Sequence, residues 1–322
     1  MKNGDYIMTK QIKISIVMAT YNGEQFLIEQ LDSLFQQTIL PDELIILDDC
    51  SLDRTRNILD TYSAYPKEIK IKKVYRKKNV GYIQNFLDGI KQATGEIVFL
   101  CDQDDIWKED KIERCLAFFK DYSDCVVLHT NTDKIDVHGD IIEKNLQKYD
   151  MFSRRLTLEE LVTKVNYPGM SMCFRREAVE EYLSRFIEQG IVFPTHDWVI
   201  AYIGCLLDGF YTSNQVLTYR RYTGHNVALT QEKKRISTVS RRVKGIAIYR
   251  EKYQFVSDVQ NKNILHKTLD AERFLQVSNN RENYLTNHSL ADWFKNISNI
   301  TYYPSKKTYL ADGLLLLRGR KS

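Results

Sequence analysis

Short apolar runs alternate with helical patterns through the first 130 residues, and this alternation constrains the fold most. The runs predict strands at Lys13–Met18, Leu44–Leu47, Ile69–Tyr75, Ile97–Cys101 and Cys125–His129. Apolar residues at helical spacing predict helices at Glu24–Gln37, Leu52–Tyr62, Gly81–Ala93 and Asp110–Phe119. Ser51 is the predicted cap of the second helix. Strands that alternate with helices form a mostly parallel sheet with helices on both faces, so the predicted fold class is α/β.

The alternation weakens after about residue 135. The remaining patterns predict a helix at Leu156–Lys164, a turn and short strand through Phe174, a helix from Thr195 to Leu207, and a strand at Val216–Arg221. From about residue 231 the chain is basic and helical in pattern. We therefore predict two parts, an α/β domain at residues 1–230 and a basic, mainly helical region at residues 231–322.

Three carboxylates directly follow the predicted strand Ile97–Cys101, namely Asp102, Asp104 and Asp105. Acids crowded at the carboxyl end of a parallel strand repel one another unless a cation lies there. Mg²⁺ or Mn²⁺ that holds a diphosphate meets this need, because such ions take one or two carboxylates plus phosphate oxygens. The stretch therefore indicates an enzyme that handles a nucleoside diphosphate.

Composition is that of a soluble globular protein, with 43% hydrophobic and 27% charged residues. The longest apolar runs are too short to cross a bilayer, and the N-terminus has no apolar signal region. The six cysteines show no C-x-x-C spacing and are predicted to be reduced thiols. These observations predict a cytoplasmic protein.

The net charge of +4 conceals an asymmetry along the chain. Residues 231–322 hold 18 Lys/Arg and 8 Asp/Glu, a charge of +10, whereas residues 1–230 carry −6. Such a basic region suits nucleic acid, an anionic membrane surface or an anionic substrate, and a solvated helical surface is the alternative without a partner.

Five motifs in this order resemble the inverting nucleotide-sugar transferases of glycosyltransferase family 2, which have the GT-A fold. The motifs are Ser15–Gly23, Leu47–Thr55, Asn79–Gly81, Asp102–Asp105 and His196–Trp198. The combination of Asp-Gln-Asp-Asp-Ile-Trp with a later His-Asp-Trp is similar to the bacterial rhamnosyltransferase-like branch, which builds cell-wall and capsular polysaccharides. The resemblance covers about residues 12–228.

The resemblance implies a site for a nucleoside-diphosphate sugar. It gives Tyr21 a stacking role on the nucleobase and Asp49 the imide N–H of uracil or thymine. The donor-binding residues that it implies are Ala19, Tyr21, Asp49, Asn79, Gly81, Asp102, Gln103, Asp104 and Arg220. Asp48 is interpreted as a strand-end acid and Asp53 as a first-turn helix acid. Arg221 is an alternative to Arg220 for the diphosphate, since guanidinium pairs well with phosphate.

The resemblance also implies the metal ligands and the catalytic base. Asp104 and Asp102 are the implied ligands of Mn²⁺ or Mg²⁺. Relatives carry Tyr-Arg-x-His at the closing segment, but this chain has Tyr222 at that spacing, so His225 is the substitute ligand. Asp197 is the implied base, and Thr195 as N-cap would place it in the first helical turn, where the helix dipole favours its ionised form. His196 is expected to orient the site, and Tyr167–Ser171 to line the acceptor side.

The apolar segment Tyr309–Arg318 with its basic end allows three interpretations: a membrane-surface helix at the inner face of the membrane, a packing helix, or a homodimer contact. With the resemblance, the predicted acceptor is a growing, lipid-linked cell-surface glycan, and no nucleic-acid partner is expected.

We therefore predict a metal-dependent inverting glycosyltransferase, with dTDP-rhamnose as the first choice of donor and UDP-glucose, UDP-galactose or UDP-GlcNAc as alternatives. A sugar nucleotidyltransferase is less favoured, because it needs a glycine- and basic-rich loop where this chain has Thr20–Glu24. A glycan-binding pseudoenzyme is the non-catalytic alternative.

Overall fold

The computed structural model describes residues 12–147, 153–163, 167–223, 238–262, 264 and 269–319. Its first part alternates strands and helices as predicted. The elements are β1 (Ile14–Thr20), α1 (Leu27–Phe35), β2 (Glu43–Asp48), α2 (Thr55–Thr61), β3 (Lys70–Tyr75), α3 (Tyr82–Gln92) and β4 (Ile97–Cys101).

Helix α2 begins later than predicted, and Ser51 is not its cap. The Ser51 hydroxyl donates to the Asp48 carboxylate and accepts the Asn22 N–H at 2.9 Å. Asp53 instead accepts the Thr55 N–H at 3.0 Å, just before the helix starts. The first-turn role predicted for Asp53 is therefore wrong by position, although its carboxylate does satisfy a helix N–H.

The central part contains more elements than the patterns predicted. They are β5 (Ile106–Trp107), α4 (Lys111–Asp121), β6 (Val127–Ile135), β7 (Ile141–Glu143), β8 (Arg154–Arg155), α5 (Leu158–Thr163), β9 (Met172–Arg175), α6 (Arg176–Glu188), α7 (His196–Leu206) and β10 (Phe210–Arg221). A 3-10 turn at Gly169–Ser171 leads into β9. Helix α6 was missed, although Val179, Leu183 and Phe186 bury one face at helical spacing.

The C-terminal region is helical in its described residues, as predicted. It comprises α8 (Val239–Asn261), α9 (Ala271–Thr286), α10 (Leu290–Lys295) and α11 (Lys306–Gly319), with a 3-10 segment at Asn296–Tyr302. Among the described helices, none has both the length and the apolar character needed to cross a membrane.

The strands form one mixed sheet in the order β3-β2-β1-β4-β9-β6-β10-β5, with β7 beside β6 and β8 beside β10. Strands β1 to β4 pair in parallel, and so do β6 and β10. Strand β9 runs antiparallel to both β4 and β6, so the prediction of a mostly parallel sheet holds for the long ladders only. The carboxyl ends of β1, β2 and β4 lie at one edge, where ligands bind in such sheets.

Helices cover both faces of the sheet. Strand alternation sends Val17 to one apolar cluster, shared with α3, α5, α6 and α7, and sends Ile16 and Met18 to another, shared with α1 and α4. Phe255 and Val259 of α8 belong to the same cluster as α7. The C-terminal helices therefore bury apolar surface in the core of the sheet domain. All six cysteines are unpaired, and five are buried, as predicted for reduced thiols.

Candidate active site

The acid loop after β4 is the most strongly charged feature of the sheet edge. Burial raises the pKa of Asp102 to about 7, with the neighbouring Asp104 charge adding to the rise. Burial likewise raises the pKa values of Asp104 and Asp105. The Arg220 charge opposes the rise at all three carboxylates. The loop holds more negative charge than its surroundings neutralise.

Arg221 holds the acid loop in place through hydrogen bonds to Asp104 and Asp105. Its N–H donates to Asp105 Oδ1 at 3.0 Å, and its guanidinium donates to the Asp104 carbonyl at 3.1 Å. The same guanidinium pairs with Glu29 at 2.5 Å, and the side chain is fully buried. Because consecutive residues of a strand point to opposite faces, the side chains of Arg220 and Arg221 lie on opposite sides of β10. Arg221 is thus a structural residue, and the alternative that it pairs with a diphosphate is wrong.

Gln103 clasps the loop that follows β1. Its Oε1 accepts the Tyr21 N–H at 2.8 Å, and its Nε2 donates to the Tyr21 carbonyl at 2.9 Å. A Cβ on Gly23 would lie 2.2 Å from Gln103 Oε1, so the clasp requires glycine there. Tyr21 is 46% exposed. Ala19, two residues before it, pairs with Leu47 where β1 runs beside β2.

Asp49 organises the loop before α3. Its two carboxylate oxygens accept the N–H groups of Val80 and Gly81, each at 2.8 Å. Asn79 Oδ1 also accepts the Gly81 N–H at 3.0 Å, and Gly81 has a φ of 85° that favours glycine. Each carboxylate oxygen keeps a second lone pair for a ligand N–H. The structure thus brings Asp49, Asn79 and Gly81 together, as the resemblance implied.

Asp48 is a structural acid, in agreement with the prediction. It is fully buried and accepts the Ser51 N–H at 3.1 Å and the Thr20 hydroxyl at 3.2 Å. Arg56 also pairs with it. Its carboxylate oxygens are occupied by groups of the protein at the ends of β1 and β2. The adjacent Asp49 is therefore the acid of this pair that can contact a ligand.

Asp197 lies in the first turn of α7, with Thr195 as the N-cap. The Thr195 side chain accepts the Trp198 N–H at 3.3 Å. Asp197 Oδ1 accepts the same N–H at 2.8 Å and the Thr195 hydroxyl proton. Within the described residues Asp197 Oδ2 accepts no hydrogen bond, and the side chain is half-buried. The predicted cap and the predicted position of Asp197 are confirmed.

Asp197 lies close to the end of β4, and Gly169 lies between them, where there is little room for a side chain. A Cβ on Gly169 would lie 3.3 Å from Asp197 Cβ, 3.3 Å from Leu100 Cδ1 and 3.0 Å from His196 Nε2. The Asp197 charge is also one cause of the raised pKa of Asp102. The turn at Gly169 therefore packs against both the end of β4 and the start of α7.

His196 is fixed by stacking rather than by hydrogen bonds. Its ring stacks on Phe86 with centroids 4.1 Å apart and an interplanar angle of 16°. Neither ring nitrogen has a hydrogen-bond partner in the described part of the chain. Burial lowers the pKa of His196, so the ring is neutral near pH 7. Its position supports the first turn of α7, which is consistent with an orienting role.

The carboxylate oxygens of the acid loop suit a divalent ion that takes its remaining ligands from a bound substrate. Asp102 and Asp104 offer two crowded carboxylates, and burial together with the Asp104 charge raises the pKa of Asp102. Across the described ranges no three His, Cys, Asp or Glu side chains converge as a complete cage. Two carboxylates plus phosphate oxygens suit Mg²⁺ or Mn²⁺. His225, the implied third ligand, lies outside the described residues.

Two buried lysines at the site were not singled out from the sequence. Lys111 donates to the Met170 carbonyl at 2.8 Å and to Thr218 Oγ1 at 2.9 Å, and thereby ties the Gly169 turn to β10. Lys252 of α8 is 5% exposed, and its Nζ lies 5.7 Å from the centroid of the Trp198 ring. The sequence did contain a clue to the burial of Lys252. It lies three residues before Phe255, on the apolar face of a predicted helix, where a charged side chain is unusual.

The sequence profile described as glycosyl transferase family 2 matches residues 15–183, more than half of the chain. A curated relative, an uncharacterized glycosyltransferase of Nostoc sp., is 28% identical over 67% of this chain and 66% of its own length. The putative teichuronic acid biosynthesis glycosyltransferase TuaG of Bacillus subtilis is 34% identical over 34% of this chain and 43% of its own length. The chain thus spans less than two thirds of either relative.

Two solved structures share the fold. Staphylococcus aureus TarS 1-349, solved in complex with UDP-GlcNAc, has a TM-score of 0.58 and 16% identity over 96% of this chain and 92% of that one. The mannosyltransferase PcManGT of Pyrobaculum calidifontis, in complex with GDP-Man and Mn²⁺, has a TM-score of 0.55 and 17% identity over 97% and 81%. The architecture is the GT-A fold with a helical C-terminal region, as predicted. With the profile match over more than half of its length, the chain belongs to glycosyl transferase family 2.

Proposed function

We propose that the protein is an inverting glycosyltransferase that moves a sugar from a nucleoside-diphosphate donor to a hydroxyl group of a glycan. The observation that carries the proposal is the meeting of two kinds of acid at one sheet edge. The crowded pair Asp102 and Asp104 follows β4, and Asp197, in the first turn of α7, lies across Gly169 from Leu100 near the end of β4. One group suits the leaving diphosphate and the other suits the attacking hydroxyl.

The nucleotide half of the site is built from the loops after β1 and β2. The exposed Tyr21 ring offers a stacking surface for the nucleobase. Asp49, which accepts the N–H groups of Val80 and Gly81, offers its remaining lone pairs to an N–H of the nucleobase. Solved proteins of similar fold bind UDP-GlcNAc and GDP-Man, which supports a nucleotide-sugar donor here. Within this class dTDP-rhamnose is our first choice, from the resemblance to the rhamnosyltransferase-like branch, and the UDP-hexoses are the alternatives.

The catalytic step needs a base on the acceptor side and charge neutralisation on the donor side. Asp197 Oδ2 is free to take the proton of the acceptor hydroxyl as that oxygen attacks the anomeric carbon, while the glycosidic C–O bond breaks on the opposite face. Arg220 faces the diphosphate end beside Asp102 and Asp104. A divalent ion held by Asp102 and Asp104 would neutralise charge on the departing diphosphate.

The proposed acceptor is a growing cell-surface glycan on a lipid carrier. The relative TuaG is named for teichuronic acid biosynthesis, which supports a cell-wall polymer. Helix α11 buries Tyr309 and Leu316 and is thus a packing helix, but Leu310, Leu314 and Leu317 form an exposed stripe on it. We propose that this stripe touches an anionic membrane surface, since Lys306, Lys307 and Arg318 accompany it. A homodimer through the same stripe is the alternative.

A donor panel tests the proposal directly. The full chain is incubated with dTDP-rhamnose, UDP-glucose, UDP-galactose, UDP-GlcNAc and GDP-mannose, with Mn²⁺ or with EDTA, and release of nucleoside diphosphate is measured. We expect release from one donor class with Mn²⁺ and little with EDTA. Asp197→Asn should lower turnover by about 10²- to 10⁴-fold, because the base is lost, and should leave the donor- and Mn²⁺-induced rise in melting temperature in place.

Asp140→Asn is the matched control, because Asp140 is an exposed loop aspartate far along the chain from these motifs. Near-normal turnover by Asp197→Asn would refute the assignment of the base. Failure of every donor to bind or react with any metal would favour the glycan-binding pseudoenzyme. Release of pyrophosphate from a nucleoside triphosphate and a sugar phosphate would instead indicate a nucleotidyltransferase.

A further inference from the structure

A cavity of about 230 Å³ lies between α8, α9 and the start of α11 in the C-terminal region. Among the described residues, its polar lining consists of Arg241, Arg242, Tyr249, Arg281 and Thr308. None of these residues belongs to the acid loop or to α7, so the cavity is separate from the candidate active site. It is smaller than the roughly 300–1,000 Å³ of sites that enclose a whole small molecule, and it therefore suits one small group of a ligand.

The cavity carries an excess of positive charge. Its described lining includes three guanidinium groups and no acid. Two of these groups share one carboxylate: Arg281 Nε donates to Asp312 Oδ2 at 3.0 Å, and Arg242 Nε lies 3.0 Å from Asp312 Oδ1. Asp312 is fully buried and does not line the cavity. Three positive charges against one negative charge leave an excess of two, which attracts an anion.

Arg281 is held in place and still has donors to offer. Its side chain is 4% exposed, and its guanidinium carbon lies 4.8 Å from the centroid of the Tyr303 ring. Tyr284 also donates to Asp312 Oδ2 at 2.8 Å, which fixes the carboxylate that orients the guanidinium. Within the described ranges, the terminal nitrogens of Arg242 and Arg281 donate no hydrogen bond. Guanidinium N–H groups suit phosphate oxygens, and groups that are already ordered lose little entropy when they bind.

Gly245 keeps the cavity open on the side of α8. The residue lies inside a 23-residue helix and lines the cavity. A Cβ at Gly245 would have no atom within 4 Å, so a side chain there would enter open space. Glycine inside a helix costs stability relative to every residue type except proline. The fold thus has its least stabilising helical residue at a position where a larger side chain would fill the cavity.

We propose that the cavity lined by Arg241, Arg242 and Arg281, here called the arginine cavity, binds one phosphate group of a phosphorylated ligand. The inference goes beyond the proposed function and does not rest on it, because it uses neither the acid loop nor Asp197. It gives a role to part of the positive charge of residues 231–322. A lipid headgroup and a soluble phosphate ester present the same group, so the experiment has one arm for each.

Titration of the full chain with inorganic phosphate tests the site. Calorimetry is run in EDTA, where the acid loop has no cation to attract phosphate, and chloride keeps the ionic strength constant. We expect saturable binding. Arg241→Met leaves both ion pairs of Asp312 intact and should weaken binding about tenfold or more, because a charge-assisted hydrogen bond is lost. Lys244→Met removes the same charge from an exposed position of α8 and should change the affinity less than about twofold.

Gly245→Leu tests the cavity without a change of charge. The leucine side chain should fill the space and abolish phosphate binding, and the variant should melt no lower than the unaltered chain in chloride, because leucine favours a helix more than glycine does. Gly245→Ala is the control for helix propensity and should retain binding. Absence of saturable binding by the unaltered chain would overturn the inference, and so would equal affinity in all of these variants.

Vesicles of phosphatidylcholine with and without phosphatidic acid form the second arm. Co-sedimentation that requires phosphatidic acid and is lost in Gly245→Leu would identify a lipid phosphate as the ligand. Loss of inorganic phosphate binding in Gly245→Leu with unchanged co-sedimentation would identify a soluble phosphorylated ligand. The donor panel decides the proposed function separately, since its failure would leave phosphate binding at the arginine cavity unchanged.

Discussion

Neutralising Asp102 should make the ligand-free protein more stable, although most substitutions destabilise a protein. The pKa of Asp102 is raised to about 7 from an ordinary 3.8. An acid whose pKa is raised in the folded state contributes stability below the unfolded pKa, and that stability is lost as the pH rises through the folded pKa. In the absence of metal, Asp102 therefore destabilises the protein increasingly between about pH 4 and pH 7.

The size of the effect follows from the same two values. Ionising a carboxyl group with a pKa of about 7 instead of 3.8 costs up to about 4 kcal/mol at pH 8. Asp102 is only half-buried and shares its charge with Asp104, so we halve this figure to about 2 kcal/mol. For a chain of this length that energy corresponds to a rise of about 3 °C in melting temperature for Asp102→Asn.

The assay is thermal unfolding in EDTA at pH 4.5 and pH 8, with Asp140→Asn as the control. We expect a gain of about 3 °C for Asp102→Asn at pH 8 and less than about 1 °C at pH 4.5, where the native carboxyl group is already protonated. With Mn²⁺ and UDP the order should reverse, because the unaltered protein gains a ligand and the variant does not. A lower melting temperature at pH 8, or an equal gain at both pH values, would refute the reasoning.

Three further changes test separate parts of the structure. Gly23→Ala should displace the Gln103 clasp and weaken donor binding about tenfold, measured by titration with UDP and Mn²⁺, and unchanged affinity would contradict the clasp. Arg221→Met should cost about 3 kcal/mol in urea unfolding, because it leaves the carbonyl groups behind the acid loop unpaired, and a loss below about 1 kcal/mol would remove Arg221 from that role. Leu314→Glu with Leu317→Glu should abolish co-sedimentation with anionic vesicles and leave donor hydrolysis intact, whereas a change from dimer to monomer would favour the homodimer alternative.

The predictions that depended on local order held best. The acids lie together because each directly follows a strand, and the carboxyl ends of parallel strands meet at one edge of the sheet. Thr195 caps α7 because its hydroxyl oxygen accepts a free helix N–H. Both relationships span only a few residues, so the sequence pattern contains them. Asp49 differs, because its partners Val80 and Gly81 lie 31 and 32 residues further along the chain, and the family motifs rather than local order indicated that loop.

The errors arose where distant segments compete for one side chain. Ser51 was a reasonable cap, but Asp48 and the backbone of Asn22 occupy its hydroxyl. Strand β6 was cut short because residues after His129 are polar, yet Thr132 and its neighbours are buried and paired with β10. Lys252 was missed because only the packing of α8 on α7 brings it to the Trp198 ring.

The shared core between α7 and α8 has a consequence for anyone who exchanges C-terminal regions between members of this family. A chimaera joined at residue 230 would set one parent's Trp198 and Tyr202 against the other parent's counterpart of Phe255. It would also replace Lys252, which lies against the Trp198 ring. Such a hybrid would retain every acid of the binding edge and still lose turnover, and its defect would be misattributed to acceptor recognition. Helices α7 and α8 should therefore be exchanged together, as one cassette.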